Sequence, residues 1–110
     1  MPEKFPIKNV NAEEVFTLVS DENFIILDLR TPMEYNASRI NGAINIDYYS
    51  EDFIDELSKL EKDKPYLVYC RTGSRTNHAM QLFISMGFQD ITHLYRGIVD
   101  WANHGYSISY

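Results

Sequence analysis

The chain has 110 residues, 45% of them hydrophobic and 14% aromatic, which is enough for one core and too little for two, so residues 1–110 read as a single domain. A formal net charge of −6 argues against nucleic acid or an anionic membrane as the main partner. No apolar run nears the roughly 20 residues of a membrane span, Met1 to Phe5 lack the basic-then-apolar order of a leader, and a lone cysteine excludes an internal disulfide or a multi-thiolate metal site, so a soluble cytoplasmic protein is expected.

Phe5 to Lys8 reads as a weak first strand at a sheet edge, because Pro6 cannot donate to a ladder. Asn11 to Val19 has helical spacing, with Asn11 as N-cap and Glu14 three residues on. Phe24-Ile25-Ile26-Leu27 is a short continuous apolar run, as in a central strand covered on both faces. Thr31-Pro32-Met33-Glu34 repeats the capping pattern and starts a short helix, with Pro32 where its missing N–H costs nothing. Ala43 to Ile46 reads as a shorter strand, and Phe53, Leu57 and Leu60 mark one face of a helix. After the turn Lys62 to Pro65 comes a second buried strand, Tyr66 to Tyr69. A helix follows from near Thr76, with Met80, Phe83 and Ile84 on its apolar face and Gly87 at its end. Ile91 to Tyr95 is the last strand, and Ile98 to Asn103, closed by Gly105, the last helix. This alternation predicts an α/β fold: a small, mostly parallel five-stranded sheet flanked by helices on both faces.

Between the strand ending at Tyr69 and its helix lies Cys70-Arg71-Thr72-Gly73-Ser74-Arg75. A thiol there sits at the carboxyl edge of a sheet, where open α/β sheets bind ligands. A strand-to-helix turn also points backbone N–H groups and the positive end of a helix dipole inward, forming a nest for an anion. Gly73 lets the backbone turn without a Cβ clash. Beside Arg71 and Arg75 the thiol should ionise below its free value of about 8.5, and the thiolate is the nucleophile. Buried ballast is the other reading of a lone cysteine, but ballast has no use for two arginines, a glycine and two hydroxyls around it.

The six-residue loop resembles the active-site loop of rhodaneses. Other blocks agree in order: Ile26-Leu27-Asp28-Leu29-Arg30 followed by Glu34-Tyr35, then Arg39-Ile40-Asn41-Gly42-Ala43-Ile44-Asn45-Ile46, then Leu94 to Trp101 with Gly97 before the tryptophan. Two positions depart from the family pattern: Arg39 stands where histidine is usual, and Arg96 where a second glycine is frequent. The resemblance implies a thiosulfate sulfurtransferase. Its thiolate takes the outer sulfur of an anionic donor such as thiosulfate, expels sulfite, and passes the sulfur from a covalent cysteine persulfide to cyanide or a thiol. No metal or organic cofactor is implied. Loop amides would stabilise charge on the transferred sulfur, and Arg71 and Arg75, with Thr72, Gly73 and Ser74, would bind the donor.

Asp28 is a candidate support beneath the loop, accepting its hydrogen bonds. The alternative is an ion network of Asp28, Arg30 and Glu34 over the Thr31 cap, and Arg39 is a further candidate support. Among the histidines His78 is the one expected near the thiol, with His93 and His104 structural or exposed, and Tyr69 points to the opposite face of the pleat. Two rivals remain open. Cell-cycle dual-specificity phosphatases share the fold, but they place five residues between cysteine and arginine, where four separate Cys70 from Arg75. The second rival is a sulfur-carrier or docking module whose acceptor is a protein thiol.

Overall fold

The structure, a computed structural model, describes residues 5–21 and 23–110, the side chains of residues 19–21 excepted; residues 1–4, read above for a leader, lie outside it. Five strands, β1 (Ile7–Val10), β2 (Ile25–Asp28), β3 (Ile44–Asn45), β4 (Pro65–Tyr69) and β5 (Asp90–Leu94), alternate with α1 (Ala12–Asp21), α2 (Pro32–Ala37), α3 (Phe53–Ser58), α4 (Ser74–Ser85) and α5 (Gly97–Asn103). The strands form one sheet in the order β1-β5-β4-β2-β3, and every ladder is parallel.

Side chains alternate across each strand, so each central strand feeds two cores. Tyr66 and Val68 of β4 and Leu27 of β2 pack with Phe53 and Leu57 of α3 and with Ala79, Met80 and Phe83 of α4. Leu67 and Tyr69 turn the other way, onto Ala12 and Val15 of α1 and Ile98 and Trp101 of α5. Leu27, Leu67 and Val68 are wholly buried, each contributing about 1.5–3 kcal/mol of transfer free energy. Apolar cover on both faces is why these strands read as unbroken apolar runs.

Both predicted caps form. Asn11 Oδ1 accepts from Glu14 N at 2.9 Å while Glu14 Oε1 accepts from Asn11 N at 3.3 Å, and Thr31 and Glu34 exchange the same pair of bonds. Boundaries differ where tertiary contacts decide them. β1 starts at Ile7, in register with Ile91. β3 is shorter than expected because Ala43 closes a turn through its N–H to Ile40 O. The helix after the cysteine begins at Ser74, ahead of Thr76, because Gly73 at φ 99° is the last non-helical residue.

Candidate active site

The strand order sets the C-terminal end of β4 between β5 and β2, and Cys70 is the next residue. Cys70 is 1% exposed, yet it lies in neither apolar cluster. The backbone curls back so that Gly73 N–H donates to Cys70 Sγ at 3.2 Å, and Thr76 Oγ1 lies 3.5 Å from the same sulfur. The first amides of α4 have no acceptor within the helix, so the loop ends on the positive pole of a 12-residue helix.

Two glycines lock the loop in place. A Cβ on Gly73 would lie 1.8 Å from Tyr95 O, and one on Gly97 (φ 73°) 2.1 Å from Arg71 O. Close approach lets Ile98 N donate to Cys70 O at 2.9 Å and Val99 N to Arg71 O at 3.1 Å. The start of α5 thus grips the start of the loop. Gly97 acts through this contact, which is remote in sequence and was read above only as part of a closing segment.

Arg75 and Arg71 have different roles. Arg75 makes a two-pronged pair with Glu34, Nη1 to Oε1 at 2.6 Å and Nη2 to Oε2 at 2.9 Å. The Arg75 hydrogen bond, ahead of the opposing effect of burial, holds the Glu34 carboxyl down at about 2. Glu34 in turn raises the Arg75 guanidinium, with the charge of Cys70 a smaller contribution in the same direction. Arg71 is exposed and its side chain makes no hydrogen bond or ion pair among the described residues. It borders a cleft of about 330 Å³ beside α2 and α5, whose apolar wall includes Ile98, Val99 and Ile108; Cys70 is not in that wall. Thr72 and Ser74 are exposed at the loop surface.

Of the two expectations for Asp28, the ion pair with Arg30 forms and Glu34 sits on the Thr31 cap, whereas support of the loop by Asp28 and the joining of Glu34 to that pair need correction. Asp28 and Arg30 are 0% and 4% exposed and close on each other, Nε to Oδ1 at 3.0 Å and Nη2 to Oδ2 at 2.7 Å. The remaining carboxylate capacity goes to the Arg30 backbone N–H, which donates to Oδ1 at 2.9 Å, and to Tyr69, whose hydroxyl donates to Asp28 Oδ2 at 2.7 Å and accepts from Ile40 N. Burial, then the charge of Asp28, pushes the Tyr69 phenol up. Asp28 therefore accepts nothing from the loop amides, and Glu34 belongs to Arg75 instead of a common network. Strand parity is the reason. Asp28 is paired in register with Tyr69 on the face of α1 and α5, whereas the Cys70 sulfur turns toward α4.

Arg39 is also not brought to the loop. Its guanidinium lies 4.8 Å from the Tyr35 ring centre and donates to Tyr35 O, and its backbone pairs with Ser109. Arg96, the other departure, stacks its guanidinium on Tyr95 at 5.6 Å. His78 is exposed and bonds Ser74 O, away from the thiol, and His104 is exposed beside Asp100. His93 is the histidine near the sulfur. It is 1% exposed, its Nε2 is 2.5 Å from Thr76 Oγ1 and its Nδ1 is 2.8 Å from Asn9 Oδ1. Burial lowers its pKa to about 4. The signal for it was parity with Ile91, which puts residue 93 on the α4 face, but parity does not say which helix residue it meets.

Among the described residues no three His, Cys, Asp or Glu side chains gather as a metal site, and no helix is long and apolar enough to cross a membrane.

The comparisons bear on this geometry. A sequence profile of the rhodanese-like domain matches residues 11–104. A sulfurtransferase of Allochromatium vinosum is 27% identical, the match covering 93% of this chain and 94% of that protein. The thiosulfate:glutathione sulfurtransferase of Saccharomyces cerevisiae is 30% identical over 90% of this chain and 81% of its own length. A tRNA uridine(34) hydroxylase of Pelagibacter ubique is 32% identical over 79% of this chain, which spans only 29% of that protein. The crystal structure of a rhodanese-related protein from Thermoplasma volcanium superposes with a TM-score of 0.80 at 26% identity, covering 93% of this chain and 97% of that one. With the matched profile, the five parallel strands and the cysteine loop at the end of the central one, this chain belongs to the rhodanese-like domain family.

Proposed function

We propose that the protein is a sulfurtransferase that moves a sulfane sulfur from an anionic donor such as thiosulfate to cyanide or a thiol through a persulfide on Cys70. The observation that carries the reading is the Gly73 amide donating to Cys70 Sγ at the foot of α4, beneath a loop that holds no acidic side chain. In the first step the Cys70 thiolate attacks the outer sulfur of thiosulfate. The new S–S bond forms as the donor's S–S bond breaks, and the electron pair leaves on sulfite. In the second, the acceptor anion attacks the outer persulfide sulfur and the pair returns to Cys70, giving thiocyanate or a new persulfide. The reaction so written needs no resident metal or organic cofactor.

Arg71 is the residue for the donor's sulfonate, because its planar fork is exposed beside the loop. Arg75 has its fork engaged by Glu34, so it contributes charge and loop position. The Gly73 amide aimed at the sulfur stabilises the charge in both steps, and in comparable sites one such donor is worth about 3 kcal/mol. Support for sulfur chemistry comes from relatives named as sulfurtransferases.

The test is intact-mass measurement after incubation with thiosulfate. The wild type should gain one sulfur atom, lose it to cyanide with release of thiocyanate, and gain nothing as Cys70→Ser. A wild-type mass unchanged by thiosulfate, polysulfide and an organic persulfide would overturn the reading.

A further inference from the structure

A buried polar chain runs from the sulfur to the edge strand: Cys70 Sγ, Thr76 Oγ1, His93 Nε2, and from His93 Nδ1 to Asn9. Thr76 is 0% and His93 1% exposed. The sulfur-transfer steps above make no use of these two groups. We propose that His93 is a positioning residue for Cys70, holding the Thr76 hydroxyl against the sulfur so that its hydrogen can follow the sulfur's charge through the reaction. This rests on the reading of Cys70 as the sulfur carrier.

The argument is one of donors and acceptors. The Thr76 hydroxyl has one hydrogen and two lone pairs. Its neighbours are Cys70 Sγ at 3.5 Å, Gly73 O at 3.1 Å and His93 Nε2 at 2.5 Å. A carbonyl oxygen can only accept, and so can a thiolate. With Cys70 ionised, His93 is therefore the one of the three that can donate to the hydroxyl oxygen. When Nε2 carries the proton, the oxygen is pinned, and the hydroxyl hydrogen can swing between two acceptors. It points to the sulfur while that atom is anionic, and to Gly73 O once the sulfur is bonded to the transferred one. Nδ1 then accepts from Asn9 with that amide turned end for end, its NH₂ group taking the place at 2.8 Å that Oδ1 holds in the structure, a rotation open to an exposed side chain whose one hydrogen bond among the described residues is this one. Burial keeps the imidazole neutral near pH 7, so His93 acts by orienting a dipole and neither adds a charge nor removes the thiol proton. No proton is consumed and the ring keeps the same number of hydrogens in both states.

A histidine that merely fills space between β5 and α4 would affect stability without singling out the sulfur. The experiment therefore measures alkylation of Cys70 by iodoacetamide, which requires no sulfur donor, beside thiosulfate-driven sulfur loading and thermal unfolding. Thr76→Val and His93→Leu should each slow both reactions about tenfold or more, as expected for one lost hydrogen bond to a charged group. Because His93 acts through Thr76, the double variant should be no slower than Thr76→Val alone. Thr76→Ser and His93→Gln, which restore a hydroxyl and an amide, should recover most of the rate. Multiplicative slowing in the double variant, or conservative variants as slow as the apolar ones, overturns the proposal. Should His93→Leu not fold, Thr76→Val against Thr76→Ser at equal Tm decides the matter, and equal alkylation rates overturn it. A wild type that takes up no sulfur defeats the proposed function, while the alkylation rates still judge the positioning.

Discussion

The ends of β2 and β4 are built alike and finished differently. Both strands leave the same edge of the sheet, carry a reactive or charged side chain and then an arginine, and enter a helix. At the end of β2, Asp28 is closed on every side by Arg30 and Tyr69, and none of the three is more than 4% exposed. At the end of β4, Cys70 receives one amide and lies beside one hydroxyl, and Arg71 is left outward. A buried charge whose partners are complete fixes the fold, whereas one whose partners are left incomplete can accept a reactant.

That contrast predicts opposite profiles for mutation at the two ends. Asp28→Ala leaves the Arg30 charge buried without its carboxylate and should cost about 3–5 kcal/mol, read as a lower urea midpoint. Cys70→Ser should change stability by less than about 1 kcal/mol while removing sulfur uptake entirely. A large stability loss at Cys70, or none at Asp28, would break the comparison. Gly97→Ala comes next. Its φ of 73° and the 2.1 Å approach to Arg71 O make a loss of about 3 kcal/mol the expectation, with the loop displaced and activity lost alongside.

Acid titration sharpens the comparison further, since two groups around the β4 end are perturbed in separate windows. His93 is held neutral in the fold, with its pKa lowered from 6.5 to about 4. The unfolded chain binds the extra proton first, so stability should fall as pH drops from about 6.5 to about 4, by about 3 kcal/mol in all. His93→Gln should flatten that stretch of the curve. Glu34 is held ionised, lowered from 4.5 to about 2 by Arg75. Its contribution is complete above pH about 4.5 and is lost as pH falls toward 2. Because both partners keep some contact with water, it is of the order of 2 kcal/mol. Glu34→Gln should remove this lower limb and, by freeing Arg75, alter the KM for thiosulfate more than kcat. Urea midpoints across pH for the three proteins test both windows.

What the sequence displayed was whatever is decided within a few residues. Asn11 with Glu14 and Thr31 with Glu34 are caps because the partners are three apart, and Gly73 is needed because the turn beside it is tight. The runs at Ile25 and Tyr66 marked central strands because burial on both faces leaves no polar alternation. What was hidden depends on distant pairings. Glu34 meets Arg75 across 41 positions and His93 meets Thr76 across 17, and nothing local distinguishes those partners from others of the same charge or size. Asp28 shows the limit from the other side. Parity placed Tyr69 correctly on the face opposite the thiol, but carried one strand over, through the register of Asp28 with Tyr69, it also removes Asp28 from beneath the loop.

Arg39 gives the smallest effect and the sharpest check on where the site ends. It occupies a position where the family usually has histidine, which invites a role in specificity, yet its side chain stays on α2 and its backbone on the segment around Ser109. A guanidinium over an accessible ring is worth about 0.5–1 kcal/mol, and the backbone bridge does not depend on the side chain. Arg39→Ala should therefore lower stability by no more than that and leave kcat and KM for thiosulfate within about twofold of wild type, inside the ±0.5 kcal/mol typical of surface changes. Arg71→Ala is the matched control: it too removes one arginine that is not buried, with no ion pair lost among the described residues, but from the loop that carries the sulfur. It should raise KM for thiosulfate about tenfold or more, the loss of one charge-assisted contact, with Tm unchanged. If the two variants showed the same kinetics, the open end of β4 would not be where the donor's charge is bound, and the distinction between a closed and an open strand end would lose its functional meaning.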